Sequence, residues 1–165
     1  MGTYRQSIPQ ADTLMGSMRS MGYSFEAAIA DIIDNGISAN CSVVKLFFPS
    51  EPIDDLVVGI LDDGEGMSAG VLFEAMRYGS RDSELERNAN DLGRFGLGMK
   101  SASLSQCRIL TVVSLQEEKI SSYSWDYNYI QNRKEWVVKE LSQNEIKALP
   151  YICLLYTSDA ADEAR

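Results

Sequence analysis

Residues 27–40 read AAIADIIDNGISAN, and the fold depends on how that stretch is read. As a helix it puts Asp31, Asp34, Asn35 and Ser38 at i, i+3, i+4 and i+7, on one face, with Ile29, Ile32, Ile33 and Ile37 on the other. An ordinary amphipathic helix also has a wet face, but that face usually carries Glu, Lys and Gln. Asp, Asn, Ser and Gly disfavour helix interiors, and a stripe of them breaks a local rule in the way functional sites do. A carboxylate followed one turn later by an amide orients a water and ligates a hard cation through oxygen.

Outward from this helix the elements follow from pattern. Ser24 is placed to cap it, and it runs to about Ala39. Before it, Met15, Met18 and Met21 recur at helical spacing in a short helix over Asp12–Met21. After it, Ser42–Phe48 and Leu56–Leu61 read as strands, and Val71, Leu72, Ala75 and Met76 make the apolar stripe of a helix over Met67–Tyr78. Gly79–Leu92 is polar and without period, a loop. A glycine-rich turn, Gly93–Gly98, opens a helix from Met99 to about Gln106. Arg108–Leu115, Lys119–Tyr129 and Trp136–Leu141 alternate as consecutive antiparallel strands.

Two further motifs carry chemistry. Asp62-Asp63-Gly64-Glu65-Gly66-Met67 follows an apolar strand. Read plainly it is a tight Asp-Gly turn. Two glycines one residue apart also let a flat ligand approach the backbone. A carboxylate there only accepts hydrogen bonds, so it selects an exocyclic amino group, as adenine offers, over the carbonyl of guanine. The third motif is Gly93-Arg94-Phe95-Gly96-Leu97-Gly98-Met99-Lys100, of the kind that cradles phosphates on free N–H groups at a helix start. It is not a P-loop, because Met99 stands where the lysine belongs. Nor is it a dinucleotide fingerprint, because Ser101 stands where a glycine is needed.

The bulk numbers agree with such a ligand site. A net charge of −9 over 165 residues argues against direct nucleic-acid contact through this segment, which needs clustered Lys and Arg. An anion held here needs backbone N–H groups, a helix end and a metal. Three cysteines without CxxC spacing and no histidine exclude the usual zinc sites and a disulfide framework. No apolar run approaches the about 20 residues of a membrane span, and no signal peptide is evident at Met1–Gln10. A cytoplasmic protein is expected.

In their order and spacing the three motifs resemble the N, G1 and G2 boxes of the GHKL ATPases (gyrase, heat-shock chaperone, histidine kinase, MutL), over roughly Met15–Ser114. IADIIDNGISA looks more like the MutL, heat-shock-chaperone and MORC branches than the histidine kinases, and MRYGSRDS…LGRFGLGMKSASLSQC looks especially like MORC-like, chaperone-like bacterial ATP-binding proteins. The resemblance implies an α/β two-layer sandwich, the Bergerat fold, with a mixed, largely antiparallel sheet and helices on one face. It implies ATP and Mg²⁺ as ligands, with Asn35 holding the metal and Asp31 the attacking water. Asp62 would read the adenine amino group, with Gly64, Gly66 and Met67 beside the base. Gly93, Gly96, Leu97, Gly98 and Lys100 would wrap the phosphates, Asp34 would lie against the nucleotide, and Gly79–Leu92 would be a lid whose closure drives homodimerisation. Two positions depart from the family pattern: Asp31 where Glu is usual, and Ser38 where many relatives carry Asp.

The expected activity is ATP binding with slow hydrolysis in a chaperone-like or DNA-processing protein. The alternatives are a nucleotide-gated interaction module with little hydrolysis and the ATP-binding domain of a histidine kinase. The last would need a phosphoacceptor elsewhere, since the chain has no histidine. The expected organisation is an ATP-binding domain over 1–150, C-terminally truncated, followed by a tail over 151–165. Within it, Cys153–Glu163 resembles the conceptual translation of a sequencing-library adapter.

Overall fold

The computed structural model describes residues 2–5, 7–20, 22–49, 57–77 and 98–152. Helix α1 spans Ala11–Arg19 and α2 Phe25–Ser38, followed by strands β1 (Val44–Phe47) and β2 (Gly59–Asp62) and helix α3 (Ala69–Met76). After the segment 78–97, helix α4 covers Gly98–Gln106, β3 Ile109–Gln116 and β4 Lys119–Asp126. Helix α5 (Tyr127–Arg133), β5 (Lys139–Glu140) and α6 (Gln143–Lys147) complete the order. Helices combined with largely antiparallel strands are the mixed α/β fold that the sequence led one to expect. Among the described residues the strands form two antiparallel sheets, β1-β2 and β3-β4-β5.

The caps explain most boundaries. The Ser24 hydroxyl accepts from Ala27 N at 3.2 Å, as the sequence suggested, and Ser68 does the same for α3. Helix α2 stops in a Schellman arrangement. Asn40 takes the left-handed conformation (φ 59°), its N–H reaching Ile37 O at 3.0 Å and that of Cys41 reaching Gly36 O at 3.1 Å.

One expected strand is corrected. Lys119–Tyr129 does not run on as β structure: β4 ends at Asp126, and Tyr127–Arg133 is helix α5. The Asp126 carboxylate accepts from Tyr129 N at 3.1 Å, capping a helix where the aromatic alternation Tyr123, Trp125, Tyr127, Tyr129 suggested a continuing strand. Lys134, at φ 57°, ends that helix.

The core lies between the three-stranded sheet and the helices α1, α3 and α4. Met15, Leu72, Met76, Leu104, Trp125 and Ile130 are almost completely buried there. The Trp125 indole N–H donates to Met76 O at 3.0 Å, satisfying a carbonyl at the end of α3, and Trp136 packs edge-on against Trp125. At the α1 end, Arg19 donates to Leu104 O at 2.7 Å and to Cys107 O, covering the carbonyl end of α4 with a cation. Two residues beyond position 150 pack on the domain. Tyr151 stacks on Phe47, with ring centroids 5.2 Å apart, and Ile152 is buried. The rest of the expected tail, 153–165, lies outside the described residues. No helix among the described residues is long and apolar enough to cross a membrane.

Candidate nucleotide site

The polar stripe of α2 obtains its helical geometry by bonding to itself. Asn35 Nδ2 donates to Asp31 O at 2.8 Å and Ser38 Oγ to Asp34 O at 2.9 Å, each one turn back. With its nitrogen so committed, the Asn35 carboxamide presents Oδ1 as an acceptor on an exposed face, the donor type a hard cation takes. Asp34 beside it is exposed. Asp31 is half-buried, and its Oδ2 accepts from the Tyr23 hydroxyl at 3.0 Å.

Gly36 explains its own presence in a helix interior, where glycine costs about 1 kcal/mol relative to alanine. A Cβ there would fall 3.3 Å from Asp62 Cβ and 3.2 Å from Cys41 Sγ. The glycine therefore lets α2 lie directly on Asp62. The 62–67 turn docks along the end of the same helix. Glu65 N donates to Ala39 O at 3.0 Å, Asn40 Nδ2 donates to Glu65 Oε1 at 2.7 Å, and a Cβ at Gly64 would meet Ala39 O at 2.9 Å.

The two adjacent aspartates have separate work. Asp63 Oδ1 accepts from Ser42 N at 2.7 Å and Val43 N at 2.8 Å. Those backbone N–H groups, Val43 first, hold its carboxyl below the usual carboxylate range. It latches the loop between α2 and β1. Asp62 is exposed, and among the described residues its Oδ1 accepts from the Gly64 N–H alone, at 3.0 Å. Among the described residues Oδ2 has no donor, so one carboxylate oxygen remains for a ligand.

The far side of the turn is seated on β3. Met67 N donates to Ser114 Oγ at 2.7 Å and Gln116 Nε2 to Gly66 O at 3.3 Å. Gly66 sits at φ +67°, and a Cβ would fall 1.9 Å from Leu115 O, so only glycine fits.

Gly98 begins α4, which packs against α2. Lys100 is 1% exposed, its ammonium donating to Arg77 O at the end of α3. The structure thus brings Asp31, Asp34, Asn35, Asp62, Gly64, Gly66 and Met67 together around α2 and its C-terminal turn, with Gly98 and Lys100 on the helix packed against it. Gly93, Gly96, Leu97 and the loop Gly79–Leu92 lie outside the described residues.

Sequence reasoning did not single out Tyr23, Gly36, Ser114 or Gln116. Gly36 was legible as a glycine inside a helix. Ser114 and Gln116 lie in a strand that also carries Thr111, so their polarity alone does not mark them. Tyr23 carries no signal, because its contact with Asp31 exists only once the chain before α2 has folded back.

Residues 23–157 match the sequence model of a family described as Histidine kinase-, DNA gyrase B-, and HSP90-like ATPase.

Proposed function

The chain belongs to this family of histidine kinase-, DNA gyrase B- and HSP90-like ATPases, and from that premise we propose that it binds ATP with Mg²⁺ where α2, the 62–67 turn and α4 come together. The observation that carries the reading is Asp62, pressed against Gly36 of α2, with one carboxylate oxygen uncommitted among the described residues. That oxygen accepts from the adenine amino group, and the base lies along the 64–66 turn, with Met67 beside it. Asn35 Oδ1 holds Mg²⁺, which when bound neutralises the phosphate charge. Asp34 lies by the same phosphates. Gly98 offers its N–H at the start of α4, and Lys100, held at Arg77 O, adds positive charge behind that helix start. Gly93, Gly96 and Leu97 complete the phosphate loop.

In hydrolysis the Asp31 carboxylate takes a proton from water as the water oxygen bonds to the γ-phosphorus. The bond from that phosphorus to the bridging oxygen breaks, leaving ADP and inorganic phosphate. Aspartate is one methylene shorter than the glutamate usual at this position, and a displacement of about 1 Å costs on the order of 100-fold in rate, so turnover is slow. The resemblance to MORC-like, chaperone-like proteins extends the proposal to a cytoplasmic machine in which ATP closes the lid and joins two copies.

One observation favours a second reading, a nucleotide-gated interaction module that hardly turns ATP over. The side chain at position 31 is aspartate, with a shorter reach than the glutamate usual in this family. Steady-state ATP turnover of the wild type and of Asp31→Ala separates the two. Turnover that Asp31→Ala abolishes supports hydrolysis, whereas tight ATP binding without turnover in the wild type supports the gated module.

A further inference from the structure

Tyr23 stands just before the Ser24 cap of α2, and it is tied at both ends. Its carbonyl accepts from the side chain of Gln106, the last residue of α4, at 2.8 Å. Its hydroxyl donates to Asp31 Oδ2 at 3.0 Å across eight positions of sequence. The side chain is half-buried, as is Asp31. The phenol therefore forms a strut from the end of α4 to the one carboxylate on α2 that lies a turn before Asn35.

We propose that Tyr23 is a positioning residue for ATP hydrolysis, holding Asp31 Oδ2 so that Oδ1 faces the attacking water. The proposal rests on the reading of Asp31 as the proton acceptor. An aspartate has two carboxylate oxygens and a rotating carboxyl, and only one orientation serves a water in line with the γ-phosphorus. Fixing one oxygen by a hydrogen bond selects that orientation and offsets the shorter reach of the side chain. The hydrogen bond to Asp31, with smaller contributions from burial and the aspartate charge, pushes the Tyr23 phenol above its ordinary value. Across the neutral range the phenol accordingly keeps its proton and acts as donor, leaving Asp31 as the acceptor. Anchoring through Gln106 ties this geometry to α4, the helix whose first turn is proposed to receive the phosphates.

The test uses the 165-residue chain with Mg-ATP. Tyr23→Phe retains the ring and the backbone bond to Gln106 and removes only the hydroxyl. The expected result is a fall in kcat of about 10- to 100-fold, with KM and the ATP dissociation constant within about twofold. In an Asp31→Asn background the same change is expected to have no further effect on the residual rate, the non-additivity of two groups acting as one. If Asp31→Asn cuts turnover to a small residual rate while Tyr23→Phe leaves the otherwise wild-type kcat unchanged, or lowers that residual rate by the same factor as the wild-type rate, the positioning role is wrong and the proposed ATPase reading stands. If Asp31→Asn keeps the wild-type rate, or the wild type binds ATP without turnover, the assignment of Asp31 fails and takes this proposal with it.

Discussion

Around β4 the chain buries large side chains: Trp125, Met15, Met76, Leu72, Leu104 and Ile130 sit in one cluster with almost no solvent contact. Around β1 it does not. Neither β1 nor β2 contains a fully buried residue, α2 buries only Ala28 and Gly36, and Phe25, Leu46 and Phe48 stay exposed. What fixes the second region is a set of polar latches and close backbone approaches: Asp63 on Ser42 and Val43, Glu65 on Ala39, Met67 on Ser114, and glycines at 36, 64 and 66. Stability and site geometry are thus supplied by different parts of the molecule. Packing energy comes from one side, while the candidate ligand groups stand on the other, where side chains remain accessible. Substitutions should therefore separate, some acting on melting and others on nucleotide.

The largest expected effect is where the regions meet. Gly66→Ala introduces a Cβ into Leu115 O at a left-handed φ and should cost about 4 kcal/mol in strain and overpacking. Calorimetry should show a melting temperature lower by about 10 °C, together with loss of ATP binding as the turn leaves β3. Wild-type melting would mean that the turn is not seated on β3 as described.

Next comes Leu104→Ala, deep in the packed side. A cavity there should cost about 3 kcal/mol, read as a lower urea midpoint, with ATP affinity of the folded fraction within about twofold of wild type. A large affinity change would break the division between the two regions.

The smallest effect is on α6, far in sequence from the site. Lys139 bonds Glu145 at 2.5 Å, and that contact first, then the backbone and hydroxyl of Ser142, lowers the Glu145 carboxyl to about 2. A carboxyl depressed on folding stabilises above its unfolded value and loses that contribution as pH falls through its folded value. Glu145→Gln should thus melt slightly below wild type at neutral pH, and the gap should close as pH falls from 4.5 towards about 2. A gap that persists at the acid end would contradict the assignment to charge.

Local features of this fold were open to reading in the sequence, and those formed by distant segments were not. Ser24 announced α2, and the order of α2, the 62–67 turn and the glycine-rich turn announced the family. The strand β4 was legible, but the alternation of aromatics ran past its end because Tyr127 and Tyr129 continue the pattern on a helix that Asp126 caps. Helix α6 carries a full capping box between Ser142 and Glu145, yet its five residues are too few to show a period. At the site, the α2 stripe and the glycines could be picked out by residue type. The division of labour between Asp62 and Asp63 could not, since it depends on where Ser42 and Val43 fold back. Tyr23 on Asp31 and Ser114 under Met67 are meetings between segments that no local pattern encodes.

Base selection by Asp62 is tested most directly by titration calorimetry of the 165-residue chain with Mg-ATP and Mg-GTP, repeated on Asp62→Asn. The substitution keeps the shape but removes the charge and adds a donor. The wild type should favour ATP, and Asp62→Asn should lose about 10-fold or more in ATP affinity, in line with about 1.5–3 kcal/mol for a hydrogen bond to a charged group. Equal affinity of the wild type for ATP and GTP would contradict that selection.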